Sequence, residues 1–508
     1  MKRMFPTAKS AVYLAVVLAV SGCTTLGPDY VEPDSRVEMD WLEAKDPALS
    51  ATEPTDPQWW KSSFNDPVLD NLITAALADN LTLRSAGLRV LQAQENLRIA
   101  AGQQYPTQTL SGGIGREGLA PNSTGPGVDR NFYSDDLGFG LGWEADVWGR
   151  FQRLVESASA ELDASVASYD GVVITLLAQV SQTYLNIRTL EERQRYLRDN
   201  IKVQSASLTI AEDRYEGGLV TELDPEQARG LLYNSQATLS SSEIALAQLK
   251  NNLSLLLGQP PSKVRELLGE PRAIPTAPAQ IAIGMPQDLI RRRPDIRQAE
   301  RQLAAQSAQI GFAITDLYPT FTLGGNIGFA STDSGNNELT DLFQSDSRSW
   351  NFGAGFSWNL WNYGRIKGNI RLQDALFQQL KSDYQNSVLS AQAEIENAIV
   401  SYLVSQEQLA WYVKATEAAQ RSVTLSQVQY DDGLVDFDTV VNNLTALRDQ
   451  QDLLASTQGA VAINLVDLYK ALGGGWQIRT SSRADDLLPE AVKQEMRERT
   501  DYWDGVLE

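Results

Sequence analysis

Leu137-Gly138-Phe139-Gly140-Leu141-Gly142-Trp143, running on to Gly149-Arg150, is answered further along the chain by Phe352-Gly353-Ala354-Gly355-Phe356-Ser357-Trp358 and Gly364-Arg365. In each stretch apolar residues alternate with glycine or small polar ones, the period of a strand with one apolar face. From Trp143 to Gly258 and from Trp358 to Gly473 the landmarks keep a constant separation of 215 positions: Tyr169 matches Tyr384, Tyr215 matches Tyr430, and Gly218-Leu219 matches Gly433-Leu434. Just upstream, Tyr105-Pro106-Thr107 matches Tyr318-Pro319-Thr320. A chain repeated in this way places two equivalent units side by side.

Two patterns alternate inside each repeat. The segment after Pro319 sets Phe321, Leu323, Ile327 and Phe329 against Thr322, Gly324, Asn326 and Gly328; its counterpart at 107–115 alternates more weakly. About ten residues of such alternation suit a strand with one face on lipid and one on a lumen. The glycines of these runs lie inside strands, away from any strand-to-helix turn with a lysine, so they are not read as a phosphate loop. The second pattern is helical. From Arg150 to about Tyr215, and from Arg365 to Tyr430, apolar or small residues recur at spacings of three and four with no proline. Such a run makes roughly 100 Å of helix, which belongs to a coiled coil and exceeds what a globular domain needs. Each run stops at a glycine turn, Gly217-Gly218-Leu219 or Asp432-Gly433-Leu434, and a shorter helix returns.

The N-terminus reads as an export signal. Lys2, Arg3 and Lys9 precede an apolar run, Ala11 to Val20, too short to span a bilayer. It ends in Val20-Ser21-Gly22-Cys23, which resembles a bacterial lipobox, and Cys23 is the chain's only cysteine. Lipidation at Cys23 is expected, and Thr24 after it implies sorting to the outer membrane. The chain then divides into a signal peptide (1–22), an extended tether (23–57), a first repeat (58–258), a Pro-rich connector (259–283), a second repeat (284–474) and a charged tail (475–508). Strands are expected at about 107–115, 135–145, 320–329 and 350–361, and long helices at about 150–216, 223–257, 365–431 and 438–472.

Composition excludes more than it identifies. The formal charge is −21, and loss of the signal's three cations takes it to −24, a surface that repels nucleic acid. Histidine is absent, which removes the commonest general base and metal ligand. With Cys23 lipidated no thiol chemistry is left, so no catalytic residue, metal site or cofactor beyond the covalent lipid is expected. The fold class is mainly α with membrane strands, two tandem repeats of helical hairpin plus β-hairpin. Four strands cannot close a barrel, and an open edge in lipid leaves backbone groups unpaired. The protein must therefore be an oligomer, and strand number alone admits two, three or four chains.

Gly284-Met285-Pro286-Gln287-Asp288-Leu289-Ile290-Arg291-Arg292-Arg293-Pro294-Asp295-Ile296, with Ala299-Glu300, Ile310-Gly311 and Tyr318-Pro319, resembles the central signature of TolC-like outer-membrane efflux proteins. Cys23, Gly27-Pro28-Asp29-Tyr30, Trp59-Trp60 and the two Gly-Leu turns match their lipoprotein branch, which serves resistance-nodulation-division (RND) pumps. The resemblance covers nearly the whole mature chain. It implies a homotrimer with a 12-stranded β-barrel in outer-membrane lipid, continuous with a periplasmic α-helical barrel and belted by the connector and terminal segments. It also implies a passive, gated duct for drugs or other small toxic compounds, working with a periplasmic adaptor and an inner-membrane RND transporter. A type I protein-secretion conduit and a pore-less, lipid-anchored coiled-coil scaffold are the alternatives.

The resemblance places function at the helical turns. Adaptor docking falls on Gly218, Leu219 and Thr221 and on Gly433 and Leu434; Asp436 replaces the threonine of the second turn, so the two sites should be unequal. Asp224 matches an aspartate that in the family bonds a tyrosine at the position of Tyr430 and holds the tip closed. The family's narrowest acidic ring falls on Asn442 here, and Val435 stands where some members carry a gate arginine. Asp431, Asp432, Asp436 and Asp438 are the remaining aperture candidates. An acidic cluster is usually a solvated face, but threefold symmetry would turn each inward carboxylate into a ring of three. Arg291 to Arg293 read as a structural ion-pair cluster, and Trp143 and Trp358 as membrane-interface anchors.

Overall fold

The computed structural model describes residues 25–507 except 35–36, 39, 51–55, 124, 126–128, 279, 286–291, 335–337, 480 and 482. Cys23 and the signature residues 286–291 therefore lie outside the described residues. The first half contains a two-residue strand β1 (Leu49–Ser50), helices α1 (Trp59–Phe64), α2 (Pro67–Asp79) and α3 (Leu81–Gly102), strands β2 (Thr107–Gly118) and β3 (Asn131–Ala145), and helices α4 (Arg150–Glu216) and α5 (Leu223–Leu257). The connector holds α6 (Pro261–Leu268) and β4 (Ile281–Ala282). The second half has α7 (Pro294–Thr315), β5 (Thr320–Thr332), β6 (Arg348–Ser357), α8 (Arg365–Asp431) and α9 (Phe437–Ala471), and α10 (Glu490–Arg499) lies in the tail. Both long helices have 67 residues, and both return helices have 35. The residues divide into two compact units.

The first unit comprises Met1–Pro33, Gln92–Ala164 and Glu300–Asp383 and contains the four-stranded sheet, ordered β2-β3-β5-β6 and antiparallel throughout. Its register sorts the side chains cleanly. Leu110, Phe139, Ile327 and Trp350 sit opposite one another in one row, and Thr109, Gly140, Asn326 and Asn351 in the next. Successive residues point to opposite faces, so one face is apolar and the other is glycine and small polar groups. The apolar row is exposed, which suits lipid. The sheet is open, with β2 and β6 as its edges. β6 also stops at Ser357, short of the expected 361, because its last partner is Thr320 and the preceding Pro319 has no N–H to extend the ladder. β2, weak by alternation, is a full strand of 12 residues.

Trp143 and Trp358, expected as membrane-interface anchors, have a structural part in the hairpins. The indole of Trp143 donates to the Gln104 carbonyl at 2.9 Å, and that of Trp358 to the Leu317 carbonyl at 2.9 Å. Each ties its hairpin to the end of the helix before it. The start of the N-terminal segment, expected as an extended tether, is docked in this unit. Arg153, 2% exposed, donates to the carbonyls of Leu26 at 3.0 Å and Gly27 at 3.3 Å and to Asp29 at 2.9 Å. Gly27 backs directly onto Gly311, where a Cβ on either residue would clash with backbone, which is why glycine stands at both.

The second unit comprises Asp34–Leu91, Ser165–Ala299 and Tyr384–Glu508. Here the tether residues are again held, with Trp41 donating to the Gly284 carbonyl at 3.1 Å and β1 pairing in parallel with β4. The core gathers aromatic residues from distant points of the chain: Trp59 stacks on Tyr469 at 4.8 Å, and Asp66 caps α2 at Val68 N while accepting the Tyr184 hydroxyl at 2.5 Å. Buried Arg188 pairs with Glu191 at 2.6 Å and donates to the Leu268 carbonyl at 2.8 Å, fixing the connector. Arg293 joins Asp295, Glu394 and the Ala471 carbonyl, a structural cluster of the kind expected at 291–293. An apolar stretch of α4 is long enough to cross a membrane by composition, but 67% of it is buried inside the protein, as a core helix requires.

The tail is clamped by one carboxylate. Asp170 is fully buried; it accepts two bonds from Arg479, at 2.7 and 3.1 Å, and a third from Arg297 at 3.4 Å. Removing one partner of a buried pair leaves an uncompensated charge and costs about 3–5 kcal/mol. Asp170→Ala should therefore lower the thermal unfolding midpoint of the detergent-purified protein and expose the tail to protease. An unchanged midpoint and cleavage pattern would show that the clamp is dispensable.

Candidate functional site

The two turns between long and return helices close by the same hydrogen bonds. After α4, Gly218 N donates to the Tyr215 carbonyl at 2.9 Å and Leu219 N to the Arg214 carbonyl at 2.9 Å; after α8, Gly433 N donates to Tyr430 O at 2.9 Å and Leu434 N to Gln429 O at 2.8 Å. Gly218 and Gly433 have φ of +71° and +72°, the left-handed conformation that ends helices at glycine. Leu219 and Leu434 follow as apolar side chains in solvent, 71% and 72% exposed. Thr221 is exposed too, and its counterpart Asp436 is the N-cap residue of α9. The five docking candidates thus form two turns closed by the same hydrogen bonds, with Gly217 and Thr221 in the first replaced by Asp432 and Asp436 in the second.

Behind the turns the two hairpins meet on a core that includes Ala211, Ala228, Tyr430, Phe437 and Leu444. Tyr430 lies at its edge. Its hydroxyl donates to Asp224 Oδ2 at 3.0 Å, and its ring packs 5.1 Å from Phe437. Burial first, and then the Asp224 carboxylate, push the phenol well above its ordinary range, so it remains a proton donor at any physiological pH. The 215-residue register makes Tyr215 and Thr439 the counterparts of Tyr430 and Asp224; the carboxylate has no counterpart.

Arg214, which the reading of the sequence did not single out, completes this contact. Its guanidinium donates to the carbonyls of Tyr430 at 2.7 Å and Asp431 at 3.0 Å and lies 4.6 Å over the Tyr430 ring. An arginine therefore links the hairpins from the α4 side, while Val435 packs its side chain against the apolar core. A cation in the last turn of α4, amid acidic residues, was the available signal, since it complements both helix ends.

Acids beside the first turn are ion-paired, while the four aperture candidates of the second are exposed. Arg229 binds Glu212 at 2.8 Å and also pairs with Glu226, so two acids of the first turn are neutralised. Asp431, Asp432, Asp436 and Asp438 are exposed. Asn442 does not stand alone, because its amide donates to Asp438 Oδ2 at 2.9 Å one helical turn away. The structure thus brings Asp224 to Tyr430 and Asn442 to Asp438.

The model of the outer membrane efflux protein family matches residues 72–259 and 285–474, one segment per repeat. The chain belongs to this family. It is 33% identical over 432 residues to the pyoverdine export outer membrane protein OpmQ of Pseudomonas aeruginosa, covering 83% of this chain and 88% of that protein. It is 28% identical over 470 residues to the probable outer membrane lipoprotein SilC of Salmonella typhimurium, covering 91% and 98%. Among solved structures, the outer-membrane channel OprN superposes with a TM-score of 0.82 at 29% identity, covering 89% of this chain and all of that one. This efflux protein is thus a component of the outer membrane that works with other pump components.

Proposed function

We propose that three copies of this efflux protein close a 12-stranded barrel in the outer membrane and continue as a periplasmic helical tube, the exit duct of a tripartite RND pump. The observation that carries this reading is the open four-stranded sheet, apolar on one face and small and polar on the other. A sheet like this, left in lipid with two bare edges, would strand a row of backbone donors and acceptors on each. The same sheet is unexplained by a pore-less scaffold. Cys23 carries the lipid anchor, and the glycine turns receive the periplasmic adaptor, unequally because of Thr221 and Asp436. Tyr430, Asp224 and Arg214 hold the tip shut, and Asp438 with Asn442 lines the aperture. The duct itself performs no chemistry, and the inner-membrane pump selects the exported compound.

Native mass spectrometry of the detergent-purified protein should give three protomers, and planar bilayers should show conducting pores. A stable monomer without conductance would overturn the barrel; a dimer or tetramer would overturn only the threefold closure. Mass spectrometry of the mature N-terminus should find acylated Cys23, and an unmodified N-terminus at any other residue would exclude the anchor.

A further inference from the structure

The four strands β2, β3, β5 and β6 carry two cations, Arg116 on β2 and Arg348 on β6, and the register puts both on the apolar face. Arg116 follows Leu110 and Ile114 at even spacing, and Arg348 stands opposite Phe329, which shares its face with Ile327. Of the carboxylates on these strands, Glu117, Asp136 and Glu144 point to the small polar face, and Asp135 alone shares the apolar one. A chain with a net charge of −21 thus turns its strand cations outward. Both arginines are exposed, and neither has an ion pair among the described residues.

The repeat makes the two arginines equivalent in depth. Arg116 faces Tyr133 across the ladder, its guanidinium 5.4 Å over the ring. β2 and β5 are related by 213 positions, Thr107-x-Thr109-Leu110 reading as Thr320-x-Thr322-Leu323, and β3 and β6 by 215. These shifts carry the pair onto Phe329 and Arg348, again opposite one another. Each hairpin therefore sets an arginine against an aromatic ring at the same level, with the strands exchanged. Tyr133 and Trp143 lie ten positions apart on β3. That is about 34 Å along the strand and roughly 26 Å across the membrane at a tilt of about 40°. The apolar band of an outer-membrane barrel is about 25 Å tall between its aromatic girdles, so both pairs stand at one boundary of it. The long helices leave the other end of the sheet, at Arg150 and Arg365, so this boundary faces away from the periplasm.

We propose that these two pairs, Arg116 with Tyr133 and Arg348 with Phe329, bind the phosphorylated sugar headgroup of an outer-leaflet glycolipid. The site rests on the outer-membrane barrel proposed above and assigns it a lipid. A planar guanidinium takes a phosphate through two parallel hydrogen bonds, and at the edge of the hydrocarbon their attraction is screened less than in bulk water. The acyl chains lie along the apolar face below, on Leu110 and Ile114 beneath Arg116 and on Trp350 and Phe352 beneath Arg348, all four exposed. The ring beside each cation favours sugar over glycerol, because Tyr133 and Phe329 offer an apolar surface to the C–H groups of a sugar ring. Phe343, largely exposed, widens that surface at 5.7 Å from Phe329. Asp135 occupies the next pair inward on this face, opposite Ile114, below the level of the phosphate.

Native mass spectrometry of the detergent-purified full chain, titrated with diphosphorylated lipid A, tests the site. The protein should bind this lipid at least tenfold more tightly than phosphatidylglycerol or lipid A stripped of both phosphates, and excess inorganic phosphate should not displace it. Arg116→Gln with Arg348→Gln should weaken lipid A binding at least tenfold. Lys367→Gln, the same loss of charge at an exposed position of α8, should leave it unchanged. Should the double variant fail to assemble, Arg348→Gln alone should halve the number of headgroups held per chain. Equal binding of phosphatidylglycerol, displacement by inorganic phosphate, or undiminished binding by the arginine variants in a conducting oligomer overturns the site and leaves the barrel standing. A native protein that stays monomeric and does not conduct overturns both.

Discussion

Replacing Asp224 by Ala together with Tyr430 by Phe is expected to raise single-channel conductance several-fold and to sensitise cells to large antibiotics such as vancomycin. The double change removes the 3.0 Å hydrogen bond between the hairpins and leaves the Tyr430 ring in its contact with Phe437. A hydrogen bond to a charged group is worth about 1.5–3 kcal/mol. In the proposed trimer, losing three symmetric copies together would move the closed-to-open equilibrium by roughly a thousandfold or more, since each 1.4 kcal/mol is a factor of about ten. Arg214 keeps its two bonds to the carbonyls of Tyr430 and Asp431, so the double variant should open only part-way. Adding Arg214→Ala should complete the opening. If the triple variant assembles and conducts like the wild type, closure resides elsewhere, and the exposed acids from Asp431 to Asp438 are the next residues to change.

Gly218→Trp is expected to abolish pump-dependent resistance while the oligomer still forms. At a φ of +71° any side chain adds about 1–2 kcal/mol of backbone strain, modest for a chain of this size. A Cβ there meets open space, so the indole would project outward beside Leu219 without disturbing the core. It would occupy the surface proposed to receive the adaptor. Gly230→Trp on α5 is the control, an exposed glycine with equally open surroundings away from the turn. Efflux should fall at least tenfold for Gly218→Trp and little for Gly230→Trp. Equal resistance in the two variants would remove the first turn from the docking surface; equal loss in both would point to damage along the helices. Gly433→Trp should have a smaller effect than Gly218→Trp, because Asp436 replaces the hydroxyl of Thr221 beside it.

The repeat made most of the architecture legible. A constant shift of 215 positions cannot survive unless turns, caps and strand ends fall at matching places, and the bounds of α4, α5 and α8 follow from the glycines that end them. Local signals fix such features: a left-handed glycine cap, a period of two or of 3.6, a proline that cannot pair. The tether shows where local signals fail. Residues 26–29 lie in a stretch rich in Pro, Asp and Glu that reads as solvated, yet Arg153 and Gly311 hold them from far along the chain. β6 likewise ends where its partner strand ends, a fact about Pro319 that β6 itself does not carry.

The sequence by itself determined the two-fold internal repeat, the alternating strands, the long helices with glycine turns, and the absence of histidine. Each is a property of one residue type at one spacing, so no tertiary contact is needed to establish it. Only the tertiary structure decided that Arg214, rather than a residue at position 435, supplies the cation over Tyr430, that Asn442 reaches Asp438, and that β6 and β2 are left as edges. These depend on which helices and strands lie beside each other at a given height. A spacing pattern along the chain specifies faces and lengths, and the choice of neighbour is settled by packing across it.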